Sequence, residues 1–339
     1  MYGGRTIGVV VPAYNEAGFV GEVLETIPDY VDRVYAVDDR SRDRTWLEIT
    51  DRATRLNRDA AADRGRGALV ANDAAFERRI VPIRHGRNRG VGAAITTGYR
   101  RAVADGIDVT AVMAGDGQMD PAYLPALLDP IVDGEADYAK GNRLTDGAYR
   151  AEMPRFRLVG NAILTLLTRI ASGYWRIGDP QNGYAAISRR ALDALDLDAV
   201  YDRYGYPNDL LARCNAAGLR VADVPIPARY GDEESSIAYA TYVPTVSALL
   251  VRTFVRRLAR RYPLRERHPV SLSYALGAFA LGGSALEGVR WVLGRRSRAG
   301  GRGSVALGRA AFLAIAGTAL LALAARLEKR LNAYLEVRK

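Results

Sequence analysis

Short β-branched apolar runs alternate with helical stretches through the first 140 residues, and that alternation is the strongest restriction on the fold. The first run is Thr6 to Pro12, where Ile7, Val9, Val10 and Val11 crowd together. Val34–Val37, Ile80–Arg84, Val109–Met113 and a weaker Ala136–Lys140 follow. Helical patterns lie near 18–26, 43–57, 91–105 and 121–132. This is the spacing of βα units, and it predicts an α/β, Rossmann-like fold: a mostly parallel sheet with flanking helices. The first run is too short for a signal peptide and runs straight into a polar motif, so it reads as a buried strand.

In open parallel sheets, ligands bind beyond the carboxyl ends of the strands. Four of these strands end in polar or glycine-rich text: Pro-Ala-Tyr-Asn-Glu at 12–16, Asp-Asp-Arg-Ser-Arg-Asp at 38–43, His-Gly-Arg-Asn-Arg-Gly-Val-Gly at 85–92 and Ala-Gly-Asp-Gly-Gln-Met-Asp-Pro at 114–121. One or two such ends are ordinary loops. Four converging on one sheet edge point to an active site.

Farther along, 58–78 reads as an insertion rich in Ala, Asp, Arg and Gly. Phe156–Ser172 is helical in pattern; a strand at Gly183–Ile187, a helix at Asn208–Ala217 and a strand at Arg220–Ile226 come next.

Charge and hydropathy then separate. Residues 1–240 carry 30 basic and 34 acidic side chains, whereas 241–339 carry 18 basic and 4 acidic, so the chain's net charge of +10 belongs to its last third. Tyr242–Arg261 mixes Val, Leu and Phe with Arg252, Arg256, Arg257, Arg260 and Arg261, a basic amphipathic helix suited to an anionic bilayer surface. Pro269–Leu286 has no charge in 18 residues, and Val305–Ala325 has only Arg309 in 21. Both approach the length that spans a hydrocarbon core, and both are rich in small residues. The expected organisation is a catalytic domain at 1–240, a basic juxtamembrane segment at 241–267 and, in 268–339, two transmembrane helices near 269–286 and 305–325. Basic residues at 252–267 and 326–339 outnumber those of the connecting loop, which places the large domain on the cytoplasmic face of a multi-pass protein. Arg290, Arg295, Arg296, Arg298 and Arg302 in or beside that loop run against the rule. Two buried soluble helices are the other reading of the apolar runs.

Composition excludes several classes. The single cysteine, Cys214, rules out an intrachain disulfide framework, and two histidines rule out a His-rich metal site. None of the three lysines stands in a Gly-Lys-Ser/Thr context, so no P-loop is present. The basic stretch borders apolar spans and is not interleaved with aromatics on a soluble domain, which argues against nucleic acid.

Particular residues carry chemistry. Asp39 closes the second strand, where a carboxylate can meet a ribose or base edge, while Asp43 suits a helix cap. Asp116 and Gln118 offer two hard oxygen donors one residue apart; with substrate phosphates, these suffice for Mg²⁺ or Mn²⁺. Gly90 and Gly92 start a helix and let backbone approach a ligand, but the third glycine of a dinucleotide fingerprint is missing. Arg143, Arg155, Arg157 and Arg229 are candidate phosphate partners, with Arg143 and Arg229 favoured by their place after strands or before turn-rich text. Asp179, in Gly-Asp-Pro-Gln-Asn-Gly-Tyr, fits a turn or a catalytic role equally well.

Taken in order, the strings at 11–16, 37–43, 88–94, 114–121, 179–184 and 229–231 make residues 5–240 resemble the GT-A-type family 2 glycosyltransferases, specifically the dolichyl- or polyprenyl-phosphate hexose synthases. The resemblance implies that the Pro12–Glu16 loop, with Pro12, Tyr14 and Glu16, and Asp39 hold a nucleotide-sugar donor. Asp116 and Gln118 would then hold the divalent metal on its diphosphate. Arg143, Arg229, and Arg155 or Arg157 would meet donor or acceptor phosphates, and Asp179 would lie beside the acceptor. It implies inverting transfer of a hexose from a UDP- or GDP-sugar to a polyprenyl or dolichyl phosphate. Two departures stand out. Ala114 replaces the first carboxylate of the Asp-X-Asp metal motif, and Asn208-Asp209 stands where a Glu-Asp or Glu pair is common. Two other readings stay open: a family 2 enzyme with a hydroxyl acceptor and Asp209 as base, and a membrane-anchored binding protein that has lost turnover.

Overall fold

The computed structural model describes residues 1–66, 76–145, 155–227, 239–294 and 302–338. The chain forms two compact units, Met1–Thr253 with Tyr334–Lys339, and Phe254–Ala333.

The first unit is built on one sheet. Its strands are β1 (Ile7–Ala13), β2 (Arg33–Asp38), β3 (Ile80–Arg84), β4 (Val109–Val112), β5 (Tyr138–Asn142), β6 (Ala185–Ser188), β7 (Val221–Pro225) and β8 (Glu336–Arg338), in the order β3-β2-β1-β4-β6-β5-β7-β8. All neighbours are parallel except β6, which is antiparallel to both β4 and β5. The mostly parallel sheet expected from the sequence is therefore present. The reversal of β6 matters for the site. It brings the start of β6, and the segment leading into it, to the edge where β1 to β5 end.

Helices cover both faces: α1 (Val20–Thr26), α2 (Thr45–Arg66), α3 (Val91–Ala104), α4 (Leu124–Val132), α5 (Arg155–Ser172), α6 (Arg189–Ala194) and α7 (Tyr206–Ala216). Successive strand residues point to opposite faces, so a strand covered on both sides reads as a continuous apolar run. Ile7, Val9 and Val11 of β1 join a cluster with Val20 and Leu24 of α1, Ile49 of α2 and Leu124, Leu127 and Leu128 of α4. Val10 joins the opposite cluster, with Tyr35, Val37, Ile95 of α3 and Leu210 of α7. Each such side chain contributes about 1.5–3 kcal/mol by leaving water.

Two sequence expectations change. Residues 58–66 are not an insertion; they continue α2, a stretch rich in good helix formers. Asn57 pins the middle of that helix to the sheet, donating to Ile80 O at 2.8 Å and accepting from Ile80 N at 2.7 Å. Residues 67–75 of the expected insertion lie outside the described residues. The second change is β8, which adds a strand beyond β7 and carries no apolar run to announce it.

The second unit comprises the last turns of α8 (Tyr239–Arg261), with α9 (Pro269–Gly294) and α10 (Arg302–Leu331). α9 and α10 approach closely at Gly277 and Gly317, where a Cβ on Gly317 would fall 2.9 Å from Gly277 O. Ser284 Oγ donates to Ala310 O at 2.8 Å beside this crossing. Arg257, expected on a membrane-facing basic surface, instead points inward and pairs with Glu328; both are buried. Tyr274 also donates to Glu328, at 3.0 Å. The hairpin's outward surface is apolar, with Phe279 83% and Phe312 71% exposed. Pro269–Leu293 and Val305–Leu331 are long and apolar enough to cross a membrane.

Candidate active site

The loops after β1 and β2 are sewn together by side chains of one and backbone of the other. Asn15 N–H donates to Ser41 Oγ at 3.0 Å, Glu16 N–H to Thr45 Oγ1 at 2.8 Å, and Arg42 N–H to Asn15 Oδ1 at 2.9 Å. Gly18 N–H donates to Glu48 at 2.9 Å. Asp43 accepts from Thr45 N–H at 3.0 Å at the start of α2, the capping role expected of it. The loop after β4 joins them, since Gly115 N–H donates to Pro12 O at 3.0 Å. Pro12 is buried in this junction and Tyr14 projects from it, 40% exposed. Among the described residues, four non-glycine residues have positive φ, and three lie in these strand-edge loops: Asn15 at 58°, Arg40 at 66° and Asp179 at 38°. Strained backbone concentrated at one edge is a mark of functional sites.

Asp39 faces inward. Its carboxylate accepts from Arg89 N–H at 2.9 Å and Gly90 N–H at 2.7 Å, and His85 Nδ1 lies 2.7 Å away. His85 Nε2 lies 3.0 Å from Thr97 Oγ1 on α3. Asp39 thus fixes the β3–α3 loop against the end of β2. Gly90, which caps α3, and Gly92 in its first turn are needed for protein packing. A Cβ on Gly90 would meet Asp202 O at 2.5 Å, and one on Gly92 would meet Tyr201 O at 2.2 Å. Gly90 also has a φ of 101°, which a side chain disfavours.

Asp116 and Gln118 lie in the turn after β4. Asp116 Oδ1 accepts from Gln118 N–H at 3.0 Å, and burial raises its carboxyl above the usual range. Gln118 is exposed. Among the described residues, no group of three or more His, Cys, Asp or Glu is arranged to hold a metal.

Arg143 and Asp179 are brought together. Arg143 follows β5, and Asp179 lies on the segment leading to the reversed strand β6. The guanidinium grips the carboxylate with Nε–Oδ2 at 2.7 Å and Nη2–Oδ1 at 3.0 Å. Burial alone would raise the Asp179 carboxyl. Hydrogen bonds and charge from Arg143, with Lys140 nearby, outweigh it and hold the group below the usual carboxylate range.

The remaining candidates stand differently. Asp209 of α7 is buried and paired with Arg213 at 2.7 Å, while accepting from Tyr201 N–H at 3.0 Å. Arg155 and Arg157 fall in the first turn of α5, with side chains outside the described residues, and Arg229 lies outside them altogether. Sequence reasoning missed His85, Asn142 and Asp223, and gave no role to Lys140. One signal was available: Lys140 is one of only three lysines in an arginine-rich chain, and it lies on a strand.

Residues 8–196 match the model of glycosyl transferase family 2, so the chain belongs to that family and is a glycosyltransferase. It is 26% identical over 257 residues to the UDP-N-acetylglucosamine–dolichyl-phosphate N-acetylglucosaminyltransferase of Methanococcus voltae, covering 76% of this chain and 98% of that one. It is 29% identical over 220 residues to the undecaprenyl-phosphate mannosyltransferase of Micrococcus luteus, covering 64% and 81%. In fold it is similar to glucosyl-3-phosphoglycerate synthase of Mycobacterium tuberculosis, solved with Mn²⁺, UDP and glucosyl-3-phosphoglycerate. The TM-score is 0.50 at 22% identity, covering 75% of this chain and 80% of that one.

Proposed function

We propose that the protein is a membrane-bound, inverting hexosyltransferase that moves a hexose from a UDP- or GDP-sugar to a polyprenyl or dolichyl phosphate. The observation that carries this reading is the Arg143–Asp179 ion pair at the catalytic edge of a family 2 sheet. The exposed apolar hairpin α9–α10 on the same chain supports membrane attachment, and the basic residues flanking the hairpin at 252–267 and 326–339 favour the sheet domain on the cytoplasmic side. Both relatives named above carry a polyprenyl-type phosphate in their names.

A lipid phosphate is anionic at neutral pH, so its oxygen attacks without a strong base. The protein's tasks are alignment and stabilisation of the departing nucleoside diphosphate. Arg143 suits the first task, because its fork is held in one plane by Asp179. Asp179, kept ionised and engaged, acts by orienting Arg143. Arg155, Arg157 and Arg229 are the further phosphate partners. Pro12, Tyr14 and Glu16 line the donor loop, and Asp39, with Gly90 and Gly92, shapes the wall beside it.

The residues present fit a divalent cation. Asp116 is a partly buried carboxylate that forms no ion pair among the described residues, and with Gln118 it supplies hard oxygen donors suited to Mg²⁺ or Mn²⁺. These two residues would hold the ion, which supplies charge neutralisation to the leaving diphosphate when bound. With Ala114 in place of a carboxylate, Asp116 and Gln118 would be the protein's share of the ligands, and the substrate would have to supply others.

A hydroxyl acceptor would need a strong base. Asp209, buried against Arg213, is unsuited to that role and is better read as a positioning group within α7. The test is incubation of membranes containing the full chain with polyprenyl phosphate and a panel of radiolabelled UDP- and GDP-hexoses, with and without chelator. Label entering mild-acid-labile lipid, and lost with chelator, is the expected result. No transfer from any donor overturns the reading.

A further inference from the structure

Lys140 is 1% exposed on β5, flanked by β6 and β7. Burying an ammonium is costly unless it is paired and hydrogen-bonded. Here it meets two partners: Asp223 Oδ1 on β7 at 2.7 Å and Gly178 O at 2.7 Å. The other oxygen of Asp223 accepts from Gly178 N–H at 3.0 Å and from Asn142 Nδ2 at 2.5 Å. One ion pair, fully buried at its lysine end, therefore holds both backbone polar groups of Gly178. The fit is tight, since a Cβ on Gly178 would fall 2.4 Å from Asn142 Nδ2.

The next residue is Asp179, with its positive φ and its grip on Arg143. Two residues upstream of Gly178, Arg176 N–H donates to Glu336 Oε1 at 2.9 Å. Glu336 lies on β8, which the chain reaches only after the helical hairpin. That strand pairs with β7 in a register placing Glu336 beside Val221. Segment 176–179 is thus held by β5, β7 and β8 together.

We propose that the Lys140–Asp223 pair, with Glu336 of β8, is the positioning device of the acceptor-phosphate clamp: it fixes segment 176–179 so that Asp179 presents Arg143 in one orientation. The inference rests on the reading of Arg143 as a phosphate-binding residue. Lys140, Asp223 and Glu336 are positioning residues, each acting through Gly178 or Arg176.

The test uses the full chain in detergent with Lys140→Met, Glu336→Ala and the double variant Lys140→Met/Asp223→Leu, which leaves no lone carboxylate beside the substituted lysine. Amide hydrogen exchange of residues 176–182 should quicken about tenfold in all three, with β1 to β4 unchanged. This readout needs no substrate. In transfer assays with polyprenyl phosphate, KM for the lipid phosphate should rise about tenfold while KM for the active nucleotide sugar stays within about twofold. Unchanged exchange overturns the positioning claim. Quickened exchange with an unchanged lipid-phosphate KM overturns its link to the acceptor. Absence of transfer to lipid phosphate by the wild-type chain overturns the functional reading instead, and the exchange result still decides the positioning.

Discussion

Arg143 and Asp179 are 36 residues apart, yet their side chains meet through two bonds of 2.7 and 3.0 Å at the edge of the sheet, and Arg143 N–H adds a third at 3.2 Å. The reversal of β6 makes the meeting possible, because it feeds Asp179 to the edge where β5 releases Arg143.

That geometry predicts that charge alone is insufficient. Arg143→Lys keeps the cation but loses the planar fork, and should lower kcat/KM by about 100-fold. Asp179→Asn should do the same with a near-native circular dichroism spectrum. Near-normal turnover in either variant contradicts the clamp.

The same pair has a pH signature. Pairing with Arg143 holds the Asp179 carboxyl below its ordinary range, against the effect of burial. Its stabilising contribution is therefore complete above the unfolded value of about 3.9 and disappears as pH falls through the lower folded value. Melting temperatures of wild type and Asp179→Asn should differ by a constant amount from pH 7 to 5 and converge below about pH 4.

Asp116 behaves oppositely. Burial raises its carboxyl, so ionisation at neutral pH costs folding free energy that is absent at low pH. Asp116→Asn should raise the metal-free melting temperature at pH 7 while abolishing transfer. Ala114→Asp, which restores a second carboxylate, should lower the Mn²⁺ concentration needed for half-maximal activity. Calorimetry and a metal titration check the two halves.

Gly92→Ala places a methyl 2.2 Å from Tyr201 O, a backbone atom that cannot step aside cheaply. We expect a loss of about 1–3 kcal/mol, comparable to other overpacking and strain effects, and weaker nucleotide binding. Urea unfolding and UDP or GDP titration measure the two losses.

In the hairpin, Gly317→Leu should separate α9 from α10. Thermal stability of the full chain in detergent should fall, while Gly282→Ala, at a position with open space, should leave it unchanged.

How much of this was legible beforehand differs by feature. The strands of the parallel half are readable because burial on both faces demands uninterrupted β-branched runs, as in Val9, Val10 and Val11. The strand-end loops are readable because glycine and acidic residues cluster there. What the sequence hides is pairing at a distance. Asp39 can be read from the sequence as a strand-end carboxylate, but its partners within the protein, Arg89, Gly90 and His85 of the next βα connection, cannot. Lys140 and Asp223 lie 83 residues apart and carry no local pattern linking them. Arg257 belonged to a basic series on a helix, and only the fold shows it turned toward Glu328. β8 is three residues long and is defined by its partner β7.

The central claim is that the acceptor is a phosphate and needs no strong base. The most direct measurement compares transfer to polyprenyl phosphate and to the matching polyprenol, using the same donor and the full chain in membranes. The account predicts labelled lipid from the phosphate alone, with the anomeric configuration inverted. Comparable transfer to the free alcohol would contradict it.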